Sequence, residues 1–185
     1  GGFTSVVLMA NTKPAVDNID TLTYVIEKGK KTNLKVYTCA TVTKGMAGKE
    51  LTDMSALLEK GAVGFTDDGI PLMDAALLER AMQTVSALEV PISLHEENPA
   101  LITNNGVNRG RASESVGIGG SPREAEISLI ERDLKIALKT DAILNIQHIS
   151  TKEGVALVRR AKQKAADLGK NNIHAEATPH HFSLT

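Results

Sequence analysis

The chain has 185 residues, 42% of them hydrophobic, enough to bury one core and too few for several domains. Its charge is balanced, 21 Lys and Arg against 22 Asp and Glu, which argues against nucleic-acid and acidic-membrane partners. An aromatic fraction of 3% without Trp leaves no stacking platform for single strands, the lone Cys39 excludes an internal disulfide and suits a reducing cytosol, and no apolar run approaches the roughly 20 residues of a membrane helix.

Strand and helix periods alternate along the chain. Residues 5–10 form a short apolar, β-branched run, and residues 18–30 place Ile19, Leu22, Val25 and Ile26 on one helical stripe. A second strand is expected over 34–41. A helix over 53–60 presents Met54, Leu57 and Leu58, with Gly61 as a left-handed terminator. The third strand is expected over 63–66, a helix over 74–87 carries Leu77, Leu78, Ala81, Met82 and Val85, and the fourth strand spans 91–94. Two hydroxyl-to-Glu spacings, Ser121-Pro122-Arg123-Glu124 and Ser150-Thr151-Lys152-Glu153, predict capping boxes at the starts of two later helices. Gly169 is placed to end the second of these helices, and the remaining strands are expected over 142–147 and 173–178.

Six strands, each followed by a helix except the last, predict an α/β fold with a parallel sheet and helices packed outside. Most strands start about 30 residues apart, the size of a compact βα unit. The exception is the Gly-rich stretch 98–120, an excursion expected to run over the mouth of a site. The opening on Gly1-Gly2-Phe3-Thr4 and the close on Phe182-Ser183-Leu184-Thr185, with no helix after the last strand, predict the middle of a longer protein.

Three of the strands end in metal-ligand types: Thr66-Asp67-Asp68-Gly69, His95-Glu96-Glu97 and Gln147-His148-Ile149-Ser150. Parallel strands that bring a carboxylate and two imidazoles to one rim are a means of building a metal-dependent hydrolase. Alternation puts Asp68 on the face of Gly64 and Thr66, opposite the bulky Val63 and Phe65, and puts His95 with Ser93 opposite Ile92 and Leu94. His148 breaks the rule, since it shares parity with Leu144 and Ile146.

Taken singly, each residue has a plain reading. An Asp-Gly pair favours a tight turn, and a lone histidine is more commonly a satisfied core residue. Three matched placements at strand ends shift the balance to a metal site. His180 and His181 also follow a strand, as ligands or as groups that hold a ligand in place; His174 reads as a surface or bottom-face residue. Asn11 is placed to give substrate an amide hydrogen bond or to make a turn, Glu96 and Glu97 to orient ligands or to form a solvated turn, and Cys39 to pack. No nucleophile elbow, phosphate-cradling loop or dinucleotide fingerprint is present.

The segments Gly1-Gly2-Phe3-Thr4, Met9-Ala10-Asn11-Thr12-Lys13-Pro14, Phe65-Thr66-Asp67-Asp68-Gly69, His95-Glu96-Glu97-Asn98, Gln147-His148-Ile149-Ser150 and Glu176-Ala177-Thr178-Pro179-His180-His181 run in order over essentially the whole chain. In this combination the sequence resembles the bacterial-type (class I) dihydroorotases of the amidohydrolase superfamily. The resemblance implies a partial (β/α)8 TIM barrel with about six of eight parallel strands present. It implies one incomplete domain over residues 1–185, an internal fragment lacking the first and last strands. It implies one or two Zn2+ ions per site, with Asp68 as bridging carboxylate, His95 and His148 as ligands, and Asn11 on the substrate carboxylate. The family's first-strand His-x-His pair and the last-strand Asp that shuttles the proton have no counterpart here, so no catalytic proton carrier is expected within the chain. Ala10 stands where the family usually has Pro.

The implied activity is the reversible conversion of dihydroorotate and N-carbamoyl-L-aspartate in pyrimidine (UMP) biosynthesis, in the cytoplasm, by the longer parent; the 185 residues alone are expected to be inactive. Implied partners are the small-molecule substrate, neither nucleic acid nor membrane, and a homodimer or an aspartate transcarbamoylase complex. Two alternatives stay open: another cyclic amidohydrolase, such as a dihydropyrimidinase or allantoinase, and a non-catalytic homologue that serves as a transcarbamoylase partner. Asp68 in place of a lysine argues against a dihydropyrimidinase, and the three ligand types retained argue against the non-catalytic homologue.

Overall fold

The computed structural model describes residues 2–104 and 106–183. Gly1, Asn105, Leu184 and Thr185, which belong to the opening motif, the long loop and the chain end, lie outside the described residues. In chain order the elements are β1 (Ser5–Leu8), α1 (Ile19–Gly29), β2 (Lys35–Thr38), α2 (Met54–Lys60), α3 (Ala75–Ala87), β3 (Pro91–Leu94), α4 (Arg111–Ser115), α5 (Glu124–Thr140), β4 (Ile143–Ile146), α6 (Lys152–Asp167), β5 (Ile173–Ala175) and α7 (Pro179–Ser183). Every strand pair is parallel: β1 with β2, and β3-β4-β5 in that order.

The expected third strand is reduced to an isolated bridge at Phe65, which pairs with Ala40 on one side and Ile92 on the other and so joins the two sheets. Its backbone is still fully engaged, with Phe65 N–H donating to the Pro91 carbonyl (3.0 Å) and Thr66 N–H to the Ala40 carbonyl (2.9 Å). Gly64 permits this approach, since a Cβ there would lie 3.0 Å from the Pro91 carbonyl oxygen. The chain end also departs from expectation, because β5 is followed by the short α7.

Local signals account for most helix ends. The side chains of Asn18, Asp53 and Asp74 accept from backbone N–H groups in the first turns of α1, α2 and α3, and Gly61 ends α2 at φ 115°. Neither predicted capping box forms as expected. Ser121 does not cap α5; it pairs with the long loop, its N–H donating to the Val107 carbonyl and its carbonyl accepting from Arg109 N–H (both 2.8 Å). At α6 the cap is Thr151, which accepts from Gly154 N–H, one residue beyond Ser150.

Buried Phe65, Ile92, Leu144 and Ile146 of the sheet pack in one core with Leu77, Leu78 and Met82 of α3, Ile130 and Leu134 of α5, and Val158 of α6. Burying each such side chain contributes about 1.5–3 kcal/mol, so this layer carries much of the stability. The opposite face of β3 and β4 is half-buried, and on it Asn145 donates to Ser93 Oγ (3.1 Å). The functional side chains stand at the C-terminal end of that face. Among the described residues no helix is long and apolar enough to cross a membrane.

Candidate metal centre

Asp68, His95 and His148 converge. One ligand atom from each lies within 4.8 Å of the other two, and all three side chains are half-buried. His95 Nδ1 and His148 Nε2 face each other at 2.9 Å, with the rings edge to face. His95 Nδ1 is 4.0 Å from Asp68 Oδ1, and its Nε2 is 3.5 Å from Glu97 Oε2.

Each side chain reaches this point for a local reason. His95 continues the alternation of β3, on the side opposite buried Ile92 and Leu94. His148 should face the helices by parity, yet it adopts φ 34°, in the left-handed region, which turns it to the inner side. That departure resolves the broken pattern noted for the sequence. Asp68 points inward, whereas its neighbour Asp67 is 4% exposed and accepts from Val42 N–H (2.8 Å), Thr43 N–H and the Thr43 hydroxyl. The two adjacent acids therefore do different work: Asp67 ties the loop after β2 to the sheet, and Asp68 faces the site.

The donor chemistry fits a divalent cation. Two imidazole nitrogens and a carboxylate are a donor set that zinc takes readily. Burial, and next the charge of His148, lower the His95 pKa, while Asp68 and Glu97 pull it up; the net shift is downward. His95 is thus neutral at pH 7, the form that ligates.

Asn11 donates to Asp68 Oδ2 (3.1 Å) and to the Asp68 carbonyl (3.3 Å). Its amide orients the carboxylate while the residue stays exposed beside the site. Glu97 is the partner of His95 described above, but Glu96 is no solvated turn: it is 4% exposed and neither carboxylate oxygen has a hydrogen-bond partner. Burial and the facing Asp133 push its pKa well up. His180 and His181 stack edge to face (4.5 Å) within α7 and line the cavity of about 730 Å3 that holds His95 and His148. His174 lies within β5 and its ring bonds to the Asn171 carbonyl. Cys39 is buried packing, its thiol pushed up to about 11 by burial and then by Glu176.

Several residues that support the site escaped the sequence reading. Glu126 accepts four hydrogen bonds from the loop after His148. Arg132 pairs with Asp133 and donates to the Leu72 and Met73 carbonyls, downstream of Asp68. One signal was available: Asp133, 1% exposed, sits on the apolar stripe of α5 with Leu129, Ile130, Ile136 and Ala137, a position where a charge demands a partner. Nothing comparable marks Glu126, which reads as an ordinary first-turn acid.

The family described as dihydro-orotase-like matches residues 1–154. Over all 185 residues the chain is 48% identical to a dihydroorotase of Clostridium acetobutylicum and 50% identical to one of Clostridioides difficile. It spans only 42% and 43% of the length of those relatives. Among solved structures, an L-hydantoinase (dihydropyrimidinase) from Arthrobacter aurescens superposes with a TM-score of 0.79 at 20% identity, covering 100% of this chain and 42% of that one. A Saccharomyces cerevisiae dihydroorotase in complex with 5-fluoroorotic acid superposes with a TM-score of 0.68 at 16% identity, covering 100% and 51%. At such identities these two structures speak for the fold alone.

Proposed function

Because the chain belongs to the dihydro-orotase-like family, we propose that the protein carrying it is a zinc-dependent cyclic amide hydrolase that interconverts dihydroorotate and N-carbamoyl-L-aspartate in pyrimidine synthesis. The observation that carries the reading is the convergence of Asp68, His95 and His148, remote in sequence, within 4.8 Å. We read the strands and the Phe65 bridge as six consecutive staves of an eight-stranded barrel, within a single domain.

His95 and His148 would hold the cation through neutral imidazole nitrogens, with Asp68 as the charged ligand and Asn11 fixing the Asp68 carboxylate. A divalent cation so bound supplies Lewis acidity and lowers the pKa of water to about 7. In the forward direction the hydroxyl of water joins the ring acyl carbon, the carbon–nitrogen bond breaks, and the proton goes to the departing ring nitrogen. Arg109 and Lys152 line the cavity and have no acidic partner among the described residues. Their charge suits an acidic substrate and favours the carboxylated ring over the uncarboxylated rings of a dihydropyrimidinase. Asn11, exposed beside Asp68, would give that carboxylate an amide hydrogen bond.

The test uses the full-length protein with zinc, assayed on dihydroorotate, N-carbamoyl-aspartate and dihydrouracil. Turnover of the first two is expected, with loss of both bound zinc and turnover in His95→Ala. Activity that survives complete metal removal, or a preference for dihydrouracil, would overturn the proposal.

A further inference from the structure

Helix α5 touches all three loops that carry the candidate ligands. The Ala125 carbonyl accepts from Asn98 N–H (2.9 Å), in the loop after His95. Arg132 donates to the Leu72 carbonyl (2.7 Å) and the Met73 carbonyl (3.1 Å), in the loop after Asp68. The tightest grip is on the loop after His148. Glu126 Oε1 accepts from Ser150 N–H (2.8 Å) and Ser150 Oγ (2.9 Å), and Oε2 accepts from Thr151 N–H (2.8 Å) and the Thr151 hydroxyl.

Four donors use the full accepting capacity of a carboxylate. The Thr151 oxygen also accepts from Gly154 N–H (3.1 Å), so the same residue is fixed to α5 on one side and caps α6 on the other. The clamped segment begins two residues beyond His148, whose φ of 34° is one that side-chain-bearing residues rarely adopt. Such a conformation persists only where the surroundings over-determine it. Without the turn at that residue, β-strand parity would send the ring towards the helices and away from His95 and Asp68.

We propose that Glu126 is a positioning residue for His148, holding the β4–α6 loop in the conformation that aims the imidazole at the metal centre and thereby setting the affinity of the site for its cation. The inference rests on the metal-centre reading above. It requires the ionised carboxylate specifically: a Gln in its place would turn an NH2 group towards two of the four donors and lose those bonds.

The test is a Co2+ titration of the full-length protein, followed by visible absorption, for the parent, Glu126→Gln and Ser150→Ala, with far-UV circular dichroism of each metal-free form. Glu126→Gln is expected to weaken Co2+ affinity about 10–100-fold and to shift the absorption bands, with the metal-free helix signal unchanged. Ser150→Ala removes one bond, leaves the Thr151 cap intact and should weaken affinity by a few-fold. Parent-like affinity and bands in Glu126→Gln would overturn the proposal. Should that variant fail to fold, parent-like affinity in Ser150→Ala overturns it instead. A parent that binds no Co2+ sinks the metal-centre reading as well, so the two failures are distinguishable.

Discussion

Adjacent acids at the end of the Phe65 segment should respond to mutation in opposite ways. Asp67 is buried and holds Val42 N–H at 2.8 Å, Thr43 N–H at 3.2 Å and the Thr43 hydroxyl. Val42 and Thr43 are both 0% exposed, so Asp67→Ala strands two backbone donors away from water. At about 1–3 kcal/mol for each buried donor left unsatisfied, the loss is about 2–6 kcal/mol. Burial also raises the Asp67 pKa, against the pull of its hydrogen bonds, so the carboxylate already bears a desolvation cost and the lower half of that range is expected. Asp68→Asn, by contrast, keeps its shape and an oxygen for the Asn11 amide, and its half-buried site leaves no donor stranded. It should change stability by under about 0.5 kcal/mol while abolishing tight metal binding. Urea denaturation of the metal-free full-length proteins, paired with zinc titration, measures both quantities. If Asp68→Asn proves the less stable of the two, or Asp67→Ala unfolds at the parental midpoint, the division of labour is wrong.

Gly64→Ala should destabilise by about 1–3 kcal/mol in thermal melts, because its Cβ would meet the Pro91 carbonyl oxygen at 3.0 Å and Pro91 Cγ at 3.1 Å; an unchanged midpoint would show that the two strands can part freely. Arg132→Met should cost about 3–5 kcal/mol, since it leaves Asp133 buried beside Glu96 without a cation. Burial raises both carboxyls above their unfolded values, so the neutral forms favour folding and that contribution fades as pH climbs through the folded pKa values. Urea midpoints of Arg132→Met should accordingly fall further behind the parent at pH 8 than at pH 5, and a deficit that shrinks with rising pH would refute the pairing.

The strand-helix order, the helices beginning near Asn18, Asp53 and Asp74, and the terminator Gly61 could all be read directly, because each depends on residues only a few positions away. The same holds for β3, where alternation alone placed His95 on the inner face. Ligand types at three strand ends singled out Asp68, His95 and His148 as candidates, and the folded chain brings one ligand atom from each within 4.8 Å of the others. Other features were not legible. The expected strand at 63–66 is reduced to a single bridge at Phe65, beside which Gly64 and Pro91 approach closely. The capping hydroxyl at α6 is that of Thr151 in place of Ser150, and Glu126, 24 and 25 residues earlier in the chain, holds both residues. The burial of Asp67, its grip on Val42 and Thr43, and the backbone reversal that aims His148 likewise arise from partners distant in sequence. Periodicity reports which face of an element a residue occupies; hydrogen bonds between elements decide where the side chain finally points, and those exist only once the chain has folded.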